Sequence, residues 1–238
     1  FTMIFRQLFD PDSSTYSYLI GDETSRKALL IDSVLEHAEQ TLELIEQLDL
    51  NLVLAIDTHT HADHITGLGA LRDATGCKTM MGKESLAGCL SDTFADGDQL
   101  KFGNLSIEVI YSPGHTDDSY SFYLPESISD NPQPILFSGD TLLIRGTGRT
   151  DFQNGSPEQQ YNSLFSRLLQ LPDNTLVYPA HDYKGWMVSS LSEEKQHNPR
   201  LQVKGREDYV ELMKSLHLPN PRMMDIAVPA NRSCGDMP

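Results

Sequence analysis

Histidine and aspartate side chains are concentrated in one short segment of the sequence. The run THTHADH, from Thr58 to His64, contains His59, His61, Asp63 and His64. Imidazole and carboxylate groups are the donors that borderline divalent metals prefer. Two residues' separation in an extended chain places His59 and His61 on the same side, and a helix entered at Asp63 would turn Asp63 and His64 toward the same point. The segment therefore predicts a metal site.

Three further potential ligands follow short apolar runs elsewhere in the chain. His115 lies in SPGHT, Asp140 in FSGDT and His181 in YPAHD. Loops at strand ends are where a rigid sheet presents functional groups, so these side chains are predicted to converge on the histidine-rich segment. The other histidines are predicted to have ordinary helix or surface roles; they are His37, His197 and His217.

Short β-prone runs separated by turn residues, together with amphipathic stretches, predict a mixed α/β (α+β) chain. The predicted strands cover residues 3–9, 16–20, 28–31, 52–56, two segments around Gly103 within 100–111, 120–124, 135–137 and 176–178. Helices are predicted at 38–48, at 64–74, from the capping residue Ser156 onward, and through most of the tail from Ser192. We expect one structural unit, with a domain over residues 1–190 and a short helical C-terminal extension over 191–238 packed on it.

Composition and charge restrict the classes of partner. Hydrophobic residues make up 39% and charged residues 22% of the chain, an ordinary globular balance. No run approaches the roughly 20 apolar residues of a membrane span. The formal net charge of −16 repels phosphate backbones and anionic lipid, so neither nucleic acid nor membrane is an expected partner.

The cysteines predict no disulfide framework. There are only three, an odd number, and none forms a C-x-x-C pair; they are Cys77, Cys89 and Cys234. Such a pattern is typical of a reducing compartment, so the cytoplasm or an organelle matrix is expected.

The order His-x-His-x-Asp-His, followed by separate His, Asp and His loops, resembles the metallo-β-lactamase superfamily. The resemblance implies an αββα sandwich with a metal site along one edge of its two sheets. Longer segments are similar to the persulfide dioxygenases of that superfamily, and the similarity runs from Phe9 to Cys234. These segments are THTHADHITG (58–67), LLIRGTGRTDFQ (142–153), LVYPAHDY (176–183), NPRL (198–201) and DIAVPANRSCG (225–235).

This resemblance implies a mononuclear non-haem iron enzyme that converts glutathione persulfide, O₂ and water to glutathione and sulfite. One Fe(II) per chain would be held at the positions matching His59, His115 and Asp140. Two histidines and one carboxylate leave coordination positions open, as Fe(II) oxygenases require. The other potential ligands would orient these three through hydrogen bonds; they are His61, Asp63, His64 and His181. Family members also suggest a homodimer, located in the mitochondrial matrix if the source is eukaryotic.

A second interpretation within the superfamily stays open at this point, a glutathione thioester hydrolase similar to glyoxalase II. It would hold two metal ions, such as zinc, and use metal-activated water as the nucleophile. All the ligand types are present: His59, His61 and His115 for one metal, Asp63, His64 and His181 for the other, and Asp140 between them. The helical glutathione-binding domain expected of glyoxalase II is truncated here, which favours the dioxygenase. A non-catalytic relative would be expected to lose ligands, and this chain keeps them.

Candidate substrate residues follow the potential ligands. Glutathione persulfide carries two carboxylates, so an acidic protein must supply local cations. Arg145 and Arg149 lie in the glycine-rich loop RGTGR. Arg149 is a candidate to bind a substrate carboxylate or to brace the loop through Asp151, whereas a structural ion pair is favoured for Arg145. Tyr183 is a candidate to hydrogen-bond the reacting sulfur or oxygen, with a core position as the alternative.

The chain departs from the persulfide dioxygenase pattern at two places near the potential ligands. Asp117-Asp118-Ser119 stands where the family often has a Pro-Gly-Cys run, and Thr147 stands where a cysteine is common. We expect Asp57 and Asp182 to orient neighbouring side chains.

Overall fold

The structure is a computed structural model that describes residues 2–126 and 133–236. The first of its two six-stranded sheets follows chain order, with β1–β2–β3 antiparallel and β3–β4–β5–β6 parallel. Its strands are β1 (Met3–Asp10), β2 (Thr15–Asp22), β3 (Lys27–Ile31), β4 (Asn51–Ile56), β5 (Lys78–Gly82) and β6 (Asp92–Phe94).

The second sheet has the order β12–β11–β10–β9–β8–β7, in which only β10 and β11 pair in parallel. Its strands are β7 (Gln99–Phe102), β8 (Leu105–Tyr111), β9 (Tyr120–Leu124), β10 (Ile135–Gly139), β11 (Leu176–Pro179) and β12 (Ser189–Ser190). The helices are α1 (Ala38–Gln47), α2 (Leu68–Thr75), α3 (Pro157–Ser166), α4 (Leu191–His197), α5 (Arg206–Lys214) and α6 (Met224–Asn231).

The two sheets pack face to face because their strands are apolar on the inner side. Leu29 and Ile31 of β3 point into the central core, which they share with Val109 and Phe122 of the second sheet. Successive side chains alternate across a strand, so Leu30 faces the other way, into the outer layer with Ile45 of α1 and Leu71 of α2. β3 is thus buried on both faces, which explains its uninterrupted apolar run.

The second sheet is covered on its outer face by α3 and α5. Leu164 and Leu168 pack there with Tyr209 and Met213 of α5. The result is the predicted αββα sandwich, with the C-terminal helix α5 lying against α3. The division into units at residues 190 and 191 stays a prediction.

Most predicted elements are confirmed, and the differences are local. The helix expected at 64–74 begins only at Leu68, so Asp63 and His64 lie in a loop without regular structure. β5, β6 and β12 were not predicted, since they are short and lack alternating polarity. In the described ranges of the chain, no helix has both the length and the apolar character needed to cross a membrane.

The expectation of no disulfide was wrong. Cys89 and Cys234 are joined by a disulfide across a sequence separation of 145 residues, and Cys77 is a buried free thiol. Spacing gave no sign of this pair because the fold, and not a local motif, brings the two residues together.

Candidate metal centre

The predicted metal-binding side chains meet at one edge of the sandwich. Each follows the carboxyl end of a strand: the histidine-rich segment follows β4, His115 follows β8, Asp140 follows β10 and His181 follows β11. His59 is 2% exposed, and His61 and His181 are similarly buried. Strands from both sheets therefore deliver their ligands to a single site.

Three donors form the first potential binding face. The Oδ2 atom of Asp140 lies 3.6 Å from Nε2 of His59 and 3.3 Å from Nε2 of His115. Donor atoms of all three residues lie within 4.8 Å of one another. This is a group of two imidazoles and one carboxylate, the donor set that suits non-haem Fe(II).

The tautomer of His115 is fixed by the main chain. Its Nδ1 donates to the carbonyl of Arg149 at 2.7 Å, and a carbonyl can only accept. Nε2 therefore carries the lone pair that faces Asp140. Gly148 makes room for this arrangement, because a Cβ there would lie 2.9 Å from Nδ1 of His115 and 2.1 Å from the carbonyl oxygen of Asp140.

His59 is oriented in the same way by a relay through Thr58. The Thr58 hydroxyl donates to the Asp32 carboxylate, at 3.0 and 3.1 Å from its two oxygens. It accepts from Nδ1 of His59 at 2.9 Å, which leaves Nε2 of His59 free to bind a metal. Burial, followed by the neighbouring His61, lowers the pKa of His59 well below its ordinary value and keeps the imidazole neutral.

Asp32 is a candidate positioning residue that was not predicted from the sequence. It is 1% exposed, and besides the Thr58 hydroxyl it accepts from the Thr58 backbone N–H at 2.8 Å and from Nε2 of His61 at 2.9 Å. Its backbone is left-handed, with φ of 54°, a conformation that Asp and Asn tolerate better than most residues. A signal existed, since Asp32 directly follows the apolar strand β3, but no histidine accompanies it.

A second group of potential ligands lies beside the first. Donor atoms of its four members lie within 4.8 Å of one another; they are His61, Asp63, His64 and His181. Among the described residues, Nδ1 of His61 and Nε2 of His64 have no hydrogen-bond partner although both are buried. Three members of this group, Asp63, His64 and His181, are those that the two-metal interpretation assigns to the second ion, whereas it assigns His61 to the first.

His181 links the two groups. Its Nδ1 lies 2.7 Å from Oδ1 of Asp140, and its Nε2 lies 2.7 Å from Oδ2 of Asp63. Burial would lower the pKa of His181, but the two carboxylates outweigh burial and raise it well above its ordinary value. Because both partners are carboxylates, His181 donates to each of them in this arrangement, and a second metal would have to displace one of these hydrogen bonds to bind it.

The same interactions keep Asp140 ionised. Burial would raise the pKa of this carboxyl, but the positive charge and hydrogen bond of His181 hold it below its ordinary value. Burial raises the pKa of Asp57 to about 7, and its carboxylate lies within 4.8 Å of ligand atoms of Asp32 and His61, so its expected role in orienting the first histidines stays a prediction. Among the described residues, its buried Oδ1 has no hydrogen-bond partner.

The candidate substrate arginines are engaged in ion pairs. Arg149 pairs with Asp151 at 2.7 Å and also donates to the carbonyl of Pro219 at 2.6 Å. Arg145 pairs with Glu193 at 2.8 Å and with the buried Glu194. These contacts favour loop bracing over carboxylate binding for both arginines.

Tyr183 lies at the surface and not in the core. Its side chain is 74% exposed, and its ring lies parallel to that of His181 with centroids 6.2 Å apart. Asp182 holds the turn by accepting from the backbone N–H groups of Lys184 and Trp186 at 2.8 and 2.9 Å. Tyr183 is thus presented to solvent beside the ligand cluster.

Both departures from the family pattern are built into hydrogen-bond networks. Asp118 accepts from the backbone N–H of Thr60 at 3.1 Å and from the hydroxyls of Thr60 and Thr116, both at 2.6 Å, so it ties the His59 loop to the His115 loop. Thr147 accepts from the phenol of Tyr209 at 3.0 Å and from the guanidinium of Arg200. Each departure is therefore compatible with an ordered site.

Comparisons of the sequence and of the fold with known proteins agree on one superfamily. Residues 10–181 match the family model described as the metallo-beta-lactamase superfamily. "Persulfide dioxygenase ETHE1, mitochondrial" from Mus musculus is 46% identical over 235 residues, which cover 98% of this chain and 89% of that protein. The crystal structure of ETHE1 from Myxococcus xanthus has a TM-score of 0.92 and 51% identity, and the match covers 98% of this chain and 100% of that one.

A hydrolase is also similar, over a shorter length. The hydroxyacylglutathione hydrolase of Dictyostelium discoideum is 30% identical over 174 residues, which cover 72% of this chain and 63% of that protein. The persulfide dioxygenases match almost end to end, including the C-terminal segment that follows the hydrolase-like domain. With its paired sheets and its metal-binding cluster of His and Asp residues, the chain belongs to the metal-dependent metallo-β-lactamase superfamily and, within it, to the persulfide dioxygenase family.

Proposed function

We propose that this protein is a mononuclear Fe(II) persulfide dioxygenase that converts glutathione persulfide, O₂ and water to glutathione, sulfite and two protons. The observation that carries the proposal is the three-donor face of His59, His115 and Asp140. His61 is not part of this face, since it groups instead with Asp63, His64 and His181.

The residues present fit one iron ion. Nε2 of His59, Nε2 of His115 and Oδ2 of Asp140 would hold it, and the first two atoms carry lone pairs because each Nδ1 donates elsewhere. When bound, Fe(II) supplies redox chemistry toward O₂ and coordination positions for a soft sulfur donor. The names of the relatives with 46% identity support persulfide as the substrate class.

The surrounding residues hold the donors and the substrate. His181 donates from Nδ1 to Asp140 and so fixes that carboxylate, while Asp63 anchors the other side of His181. The backbone of Arg149 orients His115, and its pair with Asp151 keeps the loop in place. The exposed phenol of Tyr183 beside His181 is the candidate contact for the substrate. A homodimer and a cytoplasmic or matrix location stay predictions.

The decisive experiment is anaerobic purification followed by elemental analysis and oxygen-electrode measurements. We expect one iron per chain and O₂ uptake on addition of glutathione persulfide, with sulfite as product. Two zinc ions per chain, with rapid cleavage of lactoyl-glutathione and no O₂ uptake, would transfer the assignment to the thioester hydrolase, which the second ligand group favours.

A further inference from the structure

The C-terminal segment reaches into the metal centre through one side chain. Asn231, the last residue of α6, is 2% exposed. Its Nδ2 donates to the backbone carbonyls of His61 and His64, both at 2.9 Å. Its Oδ1 accepts from the backbone N–H of Thr66 at 2.8 Å. One carboxamide thus makes three hydrogen bonds to the loop that carries the histidines.

The backbone N–H and C=O groups of this loop need hydrogen-bond partners from other parts of the chain. Apart from an isolated bridge between Thr66 and Val34, residues 57–67 form neither helix nor strand, so most of their buried N–H and C=O groups have no regular hydrogen-bond ladder. An unpaired buried backbone group costs free energy comparable to a lost hydrogen bond. Asn231 supplies such partners at His61, His64 and Thr66, and so stabilises the second half of the histidine-rich segment.

The position of Asn231 is itself fixed on both sides. Gly69 N–H donates to the carbonyl of Cys234 at 2.8 Å, and the Cys89–Cys234 disulfide ties the same segment to another loop. Gly235 has φ of 83° and packs so closely that a Cβ there would lie 2.2 Å from the carbonyl oxygen of Thr66. The tail is thus held against the histidine loop along several residues.

From these contacts we infer that Asn231 is a positioning residue of the metal centre, acting through the backbone of the histidine loop and touching neither metal nor substrate. The inference rests on the metal-dependent function proposed above. It assigns to the C-terminal segment a part in setting metal affinity.

The test is the affinity of metal-free protein for Co(II) and Zn(II), measured by competition with a chromophoric chelator. Asn231→Ala removes all three hydrogen bonds. Asn231→Asp is nearly isosteric and keeps the acceptor for Thr66 but loses both donors to the carbonyls of His61 and His64. We expect both variants to bind metal about 10- to 100-fold more weakly, the usual effect of losing an outer-shell contact, and to show an altered Co(II) absorption spectrum.

Leu169→Ala is the matched control for general destabilisation. Leu169 is buried in the apolar layer outside the second sheet and belongs to neither group of potential ligands, so its truncation lowers stability without removing a ligand or a hydrogen bond to one. We expect the control to melt at lower temperature and to keep wild-type metal affinity and spectrum. If the Asn231 variants behave like this control, the inference is overturned. Failure of the dioxygenase proposal would appear separately, as absent O₂ uptake by wild type that still binds metal tightly.

Discussion

At the residue scale, the histidines of this site differ in which ring nitrogen is available. His59 and His115 donate from Nδ1 and present Nε2, whereas His61 donates from Nε2 to Asp32. His181 donates from both nitrogens. Identical side chains therefore receive different roles from their hydrogen-bond partners, which is the arrangement that the proposed single metal ion needs.

This difference predicts unequal effects of two histidine truncations. His115→Ala removes a donor from the three-membered face, so we expect the variant to purify with almost no iron. His181→Ala removes an orienting contact to Asp140, and we expect it to retain most of its iron. Elemental analysis of anaerobically purified proteins, with circular dichroism to verify folding, measures the difference.

Comparable iron loss in both variants would argue that His181 is a direct ligand and that the site holds two metals. His217→Ala is a suitable control, because His217 lies in the C-terminal extension outside both ligand groups. We expect its metal content to match wild type.

Asp32 predicts a pH dependence of stability in the metal-free protein. Burial opposes protonation of His61, but Asp32 outweighs it and raises the pKa of His61 to about 9. Because this folded-state pKa lies above the unfolded value of about 6.5, the stabilisation is complete below pH 6.5 and is lost as the pH rises through 9. We expect Asp32→Asn, which tolerates the left-handed backbone, to remove much of this slope.

Denaturant unfolding of wild type and Asp32→Asn at pH 6, 7.5 and 9 measures the effect. The two free energies of unfolding should converge toward pH 9, since wild type loses stability that the variant never had. A constant difference across the three pH values would mean that Asp32 does not hold the proton on His61.

The sequence predicted the ligand types at this scale and not their partners. His59, His115 and Asp140 stand out because each follows an apolar run. Asp32 and Asn231 contribute through hydrogen bonds from residues 26 and more positions away, and neither lies in a recognisable metal motif. Only the folded backbone reveals them.

At the element scale, the strands were predictable because burial on one or both faces leaves a clear apolar pattern. The segment 64–74 was predicted as a helix because its residues are compatible with one. Hydrogen bonds from other parts of the chain instead keep its first part out of a helix: Asn231 donates to the carbonyl of His64, and the Thr15 hydroxyl lies 3.2 Å from Nδ1 of His64. Helix α2 begins only at Leu68. Tertiary hydrogen bonds override local propensity here.

Ser156, the predicted N-cap of α3, is expected to contribute to the free energy of unfolding. The hydroxyl of Ser156 accepts from the backbone N–H of Gln159 at 3.2 Å, and Pro157 occupies the first turn. Ser156→Ala leaves that N–H without its cap, and we expect a loss of about 1 kcal/mol in the free energy of unfolding. Ser166→Ala, at the exposed far end of the same helix, should change stability by less than about 0.5 kcal/mol.

Chemical denaturation of both serine variants beside wild type tests this. Equal stability of Ser156→Ala and Ser166→Ala would show that the cap contributes nothing. Activity should survive in both variants, since the substitution keeps the backbone N–H of Ser156, which donates to the carbonyl of Gly114 in the His115 loop.

At the scale of the whole molecule, the features that escaped prediction are those with long sequence separation. The layered αββα arrangement follows from element order and family resemblance. The packing of the C-terminal segment against the histidine loop could not be predicted in this way. It depends on contacts such as Asn231 to His61 and Cys89 to Cys234, which join residues 170 and 145 positions apart. Such contacts leave no periodic pattern in the chain.

The Cys89–Cys234 disulfide is expected to stabilise the folded protein. A cross-link closing a loop of this length restricts the unfolded chain strongly, so its loss should cost about 2 to 5 kcal/mol. We expect Cys89→Ser to lower the free energy of unfolding of oxidised protein by this amount, and reductant to bring wild type down to the same value. Cys77→Ala, which removes the buried free thiol, should keep the full response to reductant.

Since the disulfide also tethers the segment that carries Asn231, the reduced protein should exchange the backbone amides of residues 231–235 faster in hydrogen–deuterium exchange. Unchanged stability and exchange on reduction would mean that the tail is held by its hydrogen bonds alone.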